Sequence, residues 1–569
     1  MISKNSFKRL LGDIPLTAEA YWLLRQRGKS LNKSFSFERL ERELPGWCLQ
    51  ADSAKKDGST NFKTVEGRKV LIFATLRYWI EHAVLLSLAM AGQGMDVIFM
   101  YLPYANWRKR ISKFDLRRQN AYARKVLSQI EGQFQSISLL DVPGSKPNQQ
   151  RLPEPLLEAI AEVSLRDTQY TMQIEEIDRE DEDSPSYCLY KLRQERNQYA
   201  ALAFLAYINS IDPSRTPDTI ITPNGSILEM GAIYQTARYL EIPIVTYEFG
   251  EQRERIWLAQ NDEVMFQNTE NMWDALKKRP FSEDQKARIR DLYSSRRDAS
   301  LWKNFSRLWQ DSPGQGGEQV YADLKLDSRP VVLLAANVIG DSLTLGRQVF
   351  TKNMTEWLQR TLQYFVHRTD KQLIVRIHPG ERYTRGPSVA DVIRKGQPSL
   401  PEHIHVIEAG STINTYDLLE ISDLGLVYTT TVGMEMAMAG IPVIVAGKTH
   451  YRSKGFTFDP ISWEEYFSLL DKIITNPLEY QLSKGLVDKA WQYAYCFFFE
   501  YPCSFPWHLL FFWEELESWS IERFLSSDGQ QEFGHVFKYL VGEPRSWNES
   551  LQVPSTPTSE SFMPVEQEF

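Results

Sequence analysis

The chain has 569 residues, 43% hydrophobic and 24% charged, with a formal net charge of -8. That length exceeds what one hydrophobic core serves and predicts two large domains, and the acidic balance excludes a general nucleic-acid binder, which carries a basic face. Four cysteines, Cys48, Cys188, Cys496 and Cys503, show no CxxC spacing, so neither a zinc site nor a disulfide framework is expected and a reducing cytoplasm fits.

The first residues lack the apolar core of a signal peptide. No uninterrupted apolar run approaches the ~20 residues that span a bilayer. The expectation is a cytoplasmic protein, and any membrane contact would be peripheral, at the inner face of the plasma membrane.

In chain order, residues 1–66 mix charges, Ser and Gly and read as an N-terminal extension and linker. The composition then changes sharply. RKVLIFATL (Arg68 to Leu76) is a short apolar run suited to a strand buried on both faces. RYWIEHAVLLSLAMAGQG reads as a helix closed by Gly92 and Gly94, and MDVIFMYLP as a second strand. Strand, helix, strand within a short span is a βαβ unit, which implies a parallel sheet. A charged helical insertion follows, and then DTIITPNG, SILEMGAIYQTARYLEI and PIVTYEFG resume the alternation. Together these make a first Rossmann-like domain over 67–315.

The acidic run EEIDREDED (175–183) contains Asp181-Glu182-Asp183 but has no apolar strand before it to fix carboxylates around a metal. It reads as a solvated segment, and no metal site is expected. The Gly-rich break DSPGQGGEQ (Asp311 to Gln319) marks the domain boundary. Beyond it, RPVVLLAANV, KQLIVRIHP, HIHVIEAG, DLGLVYTTT and IPVIVAG read as strands separated by helices, a second doubly wound domain over 325–485. Residues 486–545 are helical and very aromatic, and 546–569 are Ser/Pro-rich and read as a disordered tail.

Open parallel sheets bind ligands at the carboxyl ends of their strands, where loops and helix N-termini converge. LIVRI ends in His378-Pro379, with Arg376 two residues back on the same face. Both would donate to a phosphate oxygen, and a plain turn histidine is the alternative for His378. LGLVY ends in Thr429, Thr430 and Thr431, then Val432-Gly433, with Glu435 on the first helical turn. Three hydroxyls at a helix start suit an anion, against simple N-capping. IPVIVAG leads into Lys448, His450, Arg452 and Lys454, either an anion site or a solvated basic loop. VVLLAANV ends near Asn337 and Asp341, which would orient a ligand hydroxyl or cap the next helix.

AANVIGDS (335–342), Glu356-Trp357, VRIHPGE (375–381) and YTTTVGMEMAMAGIPVIVAGKTHYRSKGFTFDP (428–460) resemble the bacterial capsular polysaccharide biosynthesis family, whose members look like GT-B glycosyltransferases. The likeness is most specific over 330–470 and weaker over 68–260. It implies an α/β GT-B fold: two facing Rossmann-like doubly wound domains, with a C-terminal helix crossing back to the first. The donor nucleotide would lie on the second domain and the acceptor on the first. The family's His-Pro motif falls on His378 and Pro379, and its Ser/Thr phosphate motif on Thr429 to Thr431. The general Glu-x-x-x-x-Gly-x-Pro motif falls on Glu435, Gly440 and Pro442, with the Glu at the nucleotide ribose.

The resemblance further implies no cofactor beyond a nucleotide-sugar co-substrate, CMP-, UDP- or GDP-linked. Arg376, His378, the Thr429–Thr431 turn and Lys448, Arg452 or Lys454 would neutralise the leaving phosphate. An inverting reaction needs a base on the first domain; the candidates are Glu81, His82, Glu248 and Glu251. The partners would be the donor and a glycan or glycolipid acceptor, with no nucleic acid. The aromatic segment around Phe497 to Phe499 and Trp507 to Trp513 would pack as core or rest on a bilayer. A GT-B-fold epimerase and a non-catalytic carbohydrate-binding subunit are the alternatives. A Rossmann dehydrogenase is excluded, because the first βα turn, ATLRYWIEH, has no GxGxxG.

Overall fold

The computed structural model describes residues 4–56, 65–143, 151–302, 305 and 312–547; the tail expected at 546–569 lies almost wholly outside them. The first sheet is built on β1 (Lys69–Thr75), β2 (Asp96–Leu102), β3 (Gln135–Ser138), β4 (Thr219–Pro223) and β5 (Ile244–Glu248), parallel and ordered β3-β2-β1-β4-β5. β6 (Arg255–Gln260) joins β5 antiparallel. β1 is buried at every residue after Lys69, as its unbroken apolar run requires.

The second sheet repeats that order without antiparallel strands. β7 (Val331–Ala335), β8 (Gln372–Arg376), β9 (Ile404–Ile407), β10 (Leu424–Val427) and β11 (Val443–Val445) stand as β9-β8-β7-β10-β11, all parallel. In both sheets the strand order reverses beside the first strand, between β1 and β4 and between β7 and β10. A crevice opens there at the carboxyl ends. Two Rossmann-like sheets with helices on their faces are the expected GT-B architecture.

Packing divides the chain differently from the composition breaks. The N-terminal residues are no appendage, because Trp22, Phe35, Phe37, Leu40, Leu44 and Trp47 are buried in the first domain's core. Met272, Trp273, Leu276, Ile289, Leu292, Trp302 and Phe305 share a core with β7, β8 and β11 instead, so 270–302 and Phe305 pack on the second domain, ahead of the Gly-rich break. The helix Lys484–Tyr495 and the π-helical turn Cys496–Glu500 also pack on the second domain, through Tyr493, Phe497, Phe499 and Tyr501. The chain crosses over between Tyr501 and β12 (Cys503–Ser504), which pairs with β6.

From there Phe505, Trp507, Phe512, Phe524, Phe533 and Phe537 complete the first core. Phe497, Phe499 and Trp507 are thus buried, the core packing and not the bilayer contact of the two readings. Gly92 shows how close the returning segment comes: a Cβ there would meet Leu525 Cδ1 at 2.5 Å.

The two domains meet through Gln173–Glu176, which follows the first-domain helix Glu154–Met172. Glu175 accepts from Met354 N and Thr355 N of the second domain, each at 2.9 Å, and Glu176 pairs with Lys352 at 2.5 Å. Gln173 accepts from Arg385 N at 2.7 Å. Arg347 donates to the carbonyls of Met265 and Phe266. The loops beyond β7 and β8 therefore press against the first domain.

The C-terminal segment is core, not decoration. Phe524 contacts Phe505, Trp507, Phe533 and Phe537, so Phe524→Ala should cost about 3–5 kcal/mol. Denaturant unfolding checks this, and an unchanged midpoint would refute the packing role.

Candidate functional site

The register of the second sheet sets Val427, Ala335 and Arg376 side by side at the carboxyl ends of β10, β7 and β8. Thr429, Asn337 and His378 follow two residues beyond on the same edge. Asn337 Oδ1 accepts from Thr429 N at 3.2 Å, joining the loops after β7 and β10. The hydroxyl of Thr429 is buried and has no partner among the described residues, although an orphaned buried hydroxyl costs about 1–3 kcal/mol.

Arg376 is 3% exposed. It donates to Glu408 O at 2.8 Å and to Thr415 Oγ1 at 3.4 Å, and no carboxylate pairs with it among the described residues. Burial alone lowers its pKa to about 10. With Pro379 and Asn414 it lines a small cavity at the sheet edge. His378 is half-buried. Its Nδ1 accepts from Gly380 N at 3.0 Å, so the neutral ring carries its proton on Nε2.

Other expected anion ligands are engaged structurally. Arg452 donates to Val445 O at 2.5 Å and Asp459 O at 2.9 Å. Lys454 is buried against Glu270. His450 hydrogen-bonds Tyr493 at 3.1 Å and stacks on Phe497. Glu435, expected at a ribose, is buried with one oxygen on Arg296 and the other accepting from Tyr416 at 3.0 Å. Gly433 makes room for packing, since a Cβ there would strike Val427 at 2.8 Å and the Tyr451 hydroxyl. Thr430 and Thr431 supply carbonyls to the following turn, and Thr431 makes no side-chain cap. Lys448 is exposed near the Phe266 ring, at the seam with the first domain.

On the first domain, Glu248 ends β5 and is half-buried. It accepts from Asn224 Nδ2 at 2.9 Å and from Phe249 N at 3.1 Å. Asn224 and Gly225 both take left-handed φ, 57° and 81°, and a Cβ on Gly225 would also strike Thr246 Cγ2 at 2.5 Å; this turn aims the Asn224 amide at the carboxylate. Burial pushes Glu248 up to about 7, against the bonds from Asn224 and Phe249.

Across β1, Leu76 turns the chain at φ 64°, ψ 148°, a region that suits glycine, and presents Arg77 and Tyr78. Glu81 is buried on the following helix, 3.7 Å from Arg77. His82 is fully buried among Trp79, Tyr247, Phe249, Phe505 and Phe512, and burial lowers its pKa to about 3. His82 is thus enclosed by aromatic rings, and Glu81 lies beside Arg77 inside the domain. Glu251 is half-buried in the turn between β5 and β6.

Local spacing does not point to Tyr170, which stands between the two edges. Burial first, then the charges of Asp341 and Glu248, push its hydroxyl up to about 12, although the ring keeps 39% of its surface open. Asp341 accepts from Ser342 Oγ at 3.2 Å and, through its carbonyl, from Thr344 N at 2.9 Å. A cavity of about 200 Å³ adjoins the clamp, between Arg166 and Gln169 of the first domain and Thr344 and Asn353 of the second. In the acidic run, Asp181 to Asp183 are exposed, while Glu175 and Glu176 hold the second domain.

Two facing Rossmann-like domains, a returning C-terminal segment and a polar cleft between the carboxyl ends of both sheets define a protein of the GT-B type. Residues 257–466 match the family described as capsule polysaccharide biosynthesis protein, the family that 330–470 resembles in sequence. Among solved structures, the chain is similar to a KpsC beta Kdo 2,4 transferase of Thermosulfurimonas dismutans, at 16% identity over 49% of this chain and 81% of that one, TM-score 0.30. A UDP-GlcNAc 2-epimerase of Neisseria meningitidis bound to UDP-GlcNAc matches at 13% identity over 76% and 99%, TM-score 0.23. The wall teichoic acid polymerase TagF matches at 11% over 80% and 92%, TM-score 0.21. Likenesses this distant identify neither donor nor acceptor. No curated protein matches the sequence.

Two substitutions test which buried charge the fold itself needs. Glu435→Ala strands the buried Arg296 and should destabilise by about 3–5 kcal/mol. Arg376→Met removes a buried cation that no carboxylate balances, so the melting temperature should hold or rise while nucleotide binding is lost. Thermal unfolding and nucleotide titration read both; a folded Glu435→Ala protein with normal stability, or an Arg376→Met protein that unfolds, would reverse the assignment.

Proposed function

We propose that this protein is a glycosyltransferase that moves a sugar from a nucleotide-sugar donor to a growing capsular or surface polysaccharide or its lipid-linked precursor. The observation that carries the reading is Arg376, a buried guanidinium with no carboxylate among the described residues, at the edge where an open parallel sheet takes its ligand. The family match over 257–466 supports it.

In the proposed reaction, Arg376 and the His378 Nε2–H meet the departing phosphate and stabilise charge that grows in the transition state. Thr429 Oγ1 and the Asn337 amide complete its hydrogen bonds. Lys448, exposed at the seam, adds a cation from the side. Glu248 on the opposite wall takes the proton of the acceptor hydroxyl, oriented by Asn224, and Asp341 and Tyr170 border the space between. CMP, UDP and GDP are the candidate nucleotides. The reaction uses no metal or cofactor beyond the donor, and it takes place in the cytoplasm or at the inner face of the membrane.

A general base must be ionised to act, so kcat/KM should rise with pH and level off above about 7, following Glu248. Glu248→Gln should lower kcat about 100-fold or more on the plateau above pH 7 and flatten the pH dependence, so that it meets wild type at low pH, and His378→Ala should lower it by a similar factor through loss of a transition-state contact. EDTA should leave the rate unchanged. Sugar transfer is measured by nucleotide release with acceptor glycan present. Release unaffected by both substitutions would sink the assignment, and conversion of the nucleotide sugar without any acceptor would mark an epimerase instead.

A further inference from the structure

The N-terminal helical hairpin carries an outward apolar surface. The helix Thr17–Leu24 (TAEAYWLL) buries only Ala18 and Trp22, although a helix apolar on most sides normally lies inside a protein. Leu10, Ile14, Leu16, Tyr21, Leu23 and Leu24 are all exposed, Leu16 at 74% and Leu24 at 79%; the other exposed large apolar side chains are scattered from Leu49 to Leu510. Scattered ones need no explanation, whereas a cluster marks a contact surface.

The cluster is held firmly. Arg117 donates to Gly12 O at 2.9 Å and Ile14 O at 2.8 Å, and Thr17 Oγ1 donates to Ile14 O at 2.8 Å. Leu16 sits at the turn between the two helices with φ 65°.

Charge tells what would cover it. The local acids are already neutralised, Asp13 by Lys113 at 2.7 Å and Glu19 by Arg117 at 2.5 Å. Arg25, Arg27, Lys29 and Lys33 are exposed and pair with no carboxylate among the described residues. The loop bearing three of them is ordered by Trp22 Nε1 and Gln26 Nε2 donating to Lys29 O at 3.0 and 2.8 Å. A cationic fringe around an apolar tip, on a chain of net charge -8, complements anionic headgroups above acyl chains. A second copy would set the same cations against each other.

We infer that residues 10–33 form a docking surface for an anionic lipid bilayer. Leu16, Leu23 and Leu24 enter the headgroup region while Arg25, Arg27, Lys29 and Lys33 meet lipid phosphates. No helix among the described residues is long and apolar enough to cross a membrane, so the contact is one of lying on the surface.

Flotation of the full chain with vesicles tests this. The protein should float with phosphatidylcholine–phosphatidylglycerol vesicles at low salt, stay behind with phosphatidylcholine alone, and be released by high salt. Arg25→Glu with Arg27→Glu should weaken binding roughly tenfold or more. Leu23→Ser with Leu24→Ser should abolish it while the melting temperature holds, since both side chains are exposed. Failure of the wild type to float with anionic vesicles, or equal flotation by both variants, overturns the proposal. So does a dimer in sedimentation that the leucine variants dissociate, which would make this face a subunit interface.

Discussion

Glu175, on the first domain, gives its carboxylate oxygens to the first two backbone N–H groups of the helix Met354–Val366 on the second. A helix start leaves such donors unsatisfied and carries partial positive charge. Asn353, the residue before the helix, takes the N–H of Glu356 at 2.8 Å, so the cap is divided between domains. The orientation of the second sheet follows from that contact. Gly340 and Gly386 lie where Gln173 passes, and a Cβ on either would collide with its backbone. The loops beyond β7 and β8 are thereby turned towards the first domain, and the carboxyl ends of both sheets look into one cleft.

Buried charges elsewhere obey the rule that an interior tolerates ions in pairs. Arg193 is fully buried between Asp167 at 2.5 Å and Glu229 at 2.9 Å, Arg296 meets Glu435, and Lys454 meets Glu270. These contacts bind segments distant in the chain and account for their charges internally. Arg376 breaks the pattern with two neutral oxygens and, among the described residues, no anion. The orphaned hydroxyl of Thr429 on the same edge is a second group for which the fold alone offers no reason.

The sheets were legible because doubly buried parallel strands are written as unbroken apolar runs: KVLIFAT, VVLLA and LGLV in β1, β7 and β10. β3 was not, since QSIS at a sheet edge is polar and mostly half-exposed, and β6 alternates, with Trp257 only half-buried. Arg376, His378, Asn337 and Glu248 stand at or just beyond the carboxyl ends of their strands, where the strand-end rule looks for ligands. It could not separate Arg376 from Arg452, Lys454 and Glu435, which occupy equally suggestive positions. Arg452 is taken up by nearby carbonyls, Val445 O and Asp459 O, while Lys454 and Glu435 have partners far along the chain, Glu270 and Arg296, and pairing across such separations leaves no local pattern. The domain boundary was misread for a related reason. The Gly-rich break is conspicuous in composition, but burial of Met272, Trp273 and Ile289 in the second core decides where the domain begins.

The proposed chemistry asks for a cation and a basic carboxylate in one site, and side by side they would quench each other. A paired carboxylate ionises too readily to be a good proton acceptor near neutral pH, and a paired guanidinium has less attraction left for a leaving phosphate. Placing Arg376 on one sheet and Glu248 on the other keeps each surrounded by protein and unpaired by the opposite charge. Burial is the main influence on each, lowering the Arg376 pKa and raising that of Glu248. Each domain supports its own group, Thr415 and the Glu408 carbonyl for Arg376, Asn224 and the Phe249 N–H for Glu248. A ligand spanning the cleft is then what connects them. The repeated sheet thus provides two edges on which opposite charges are held apart, as the proposed chemistry requires.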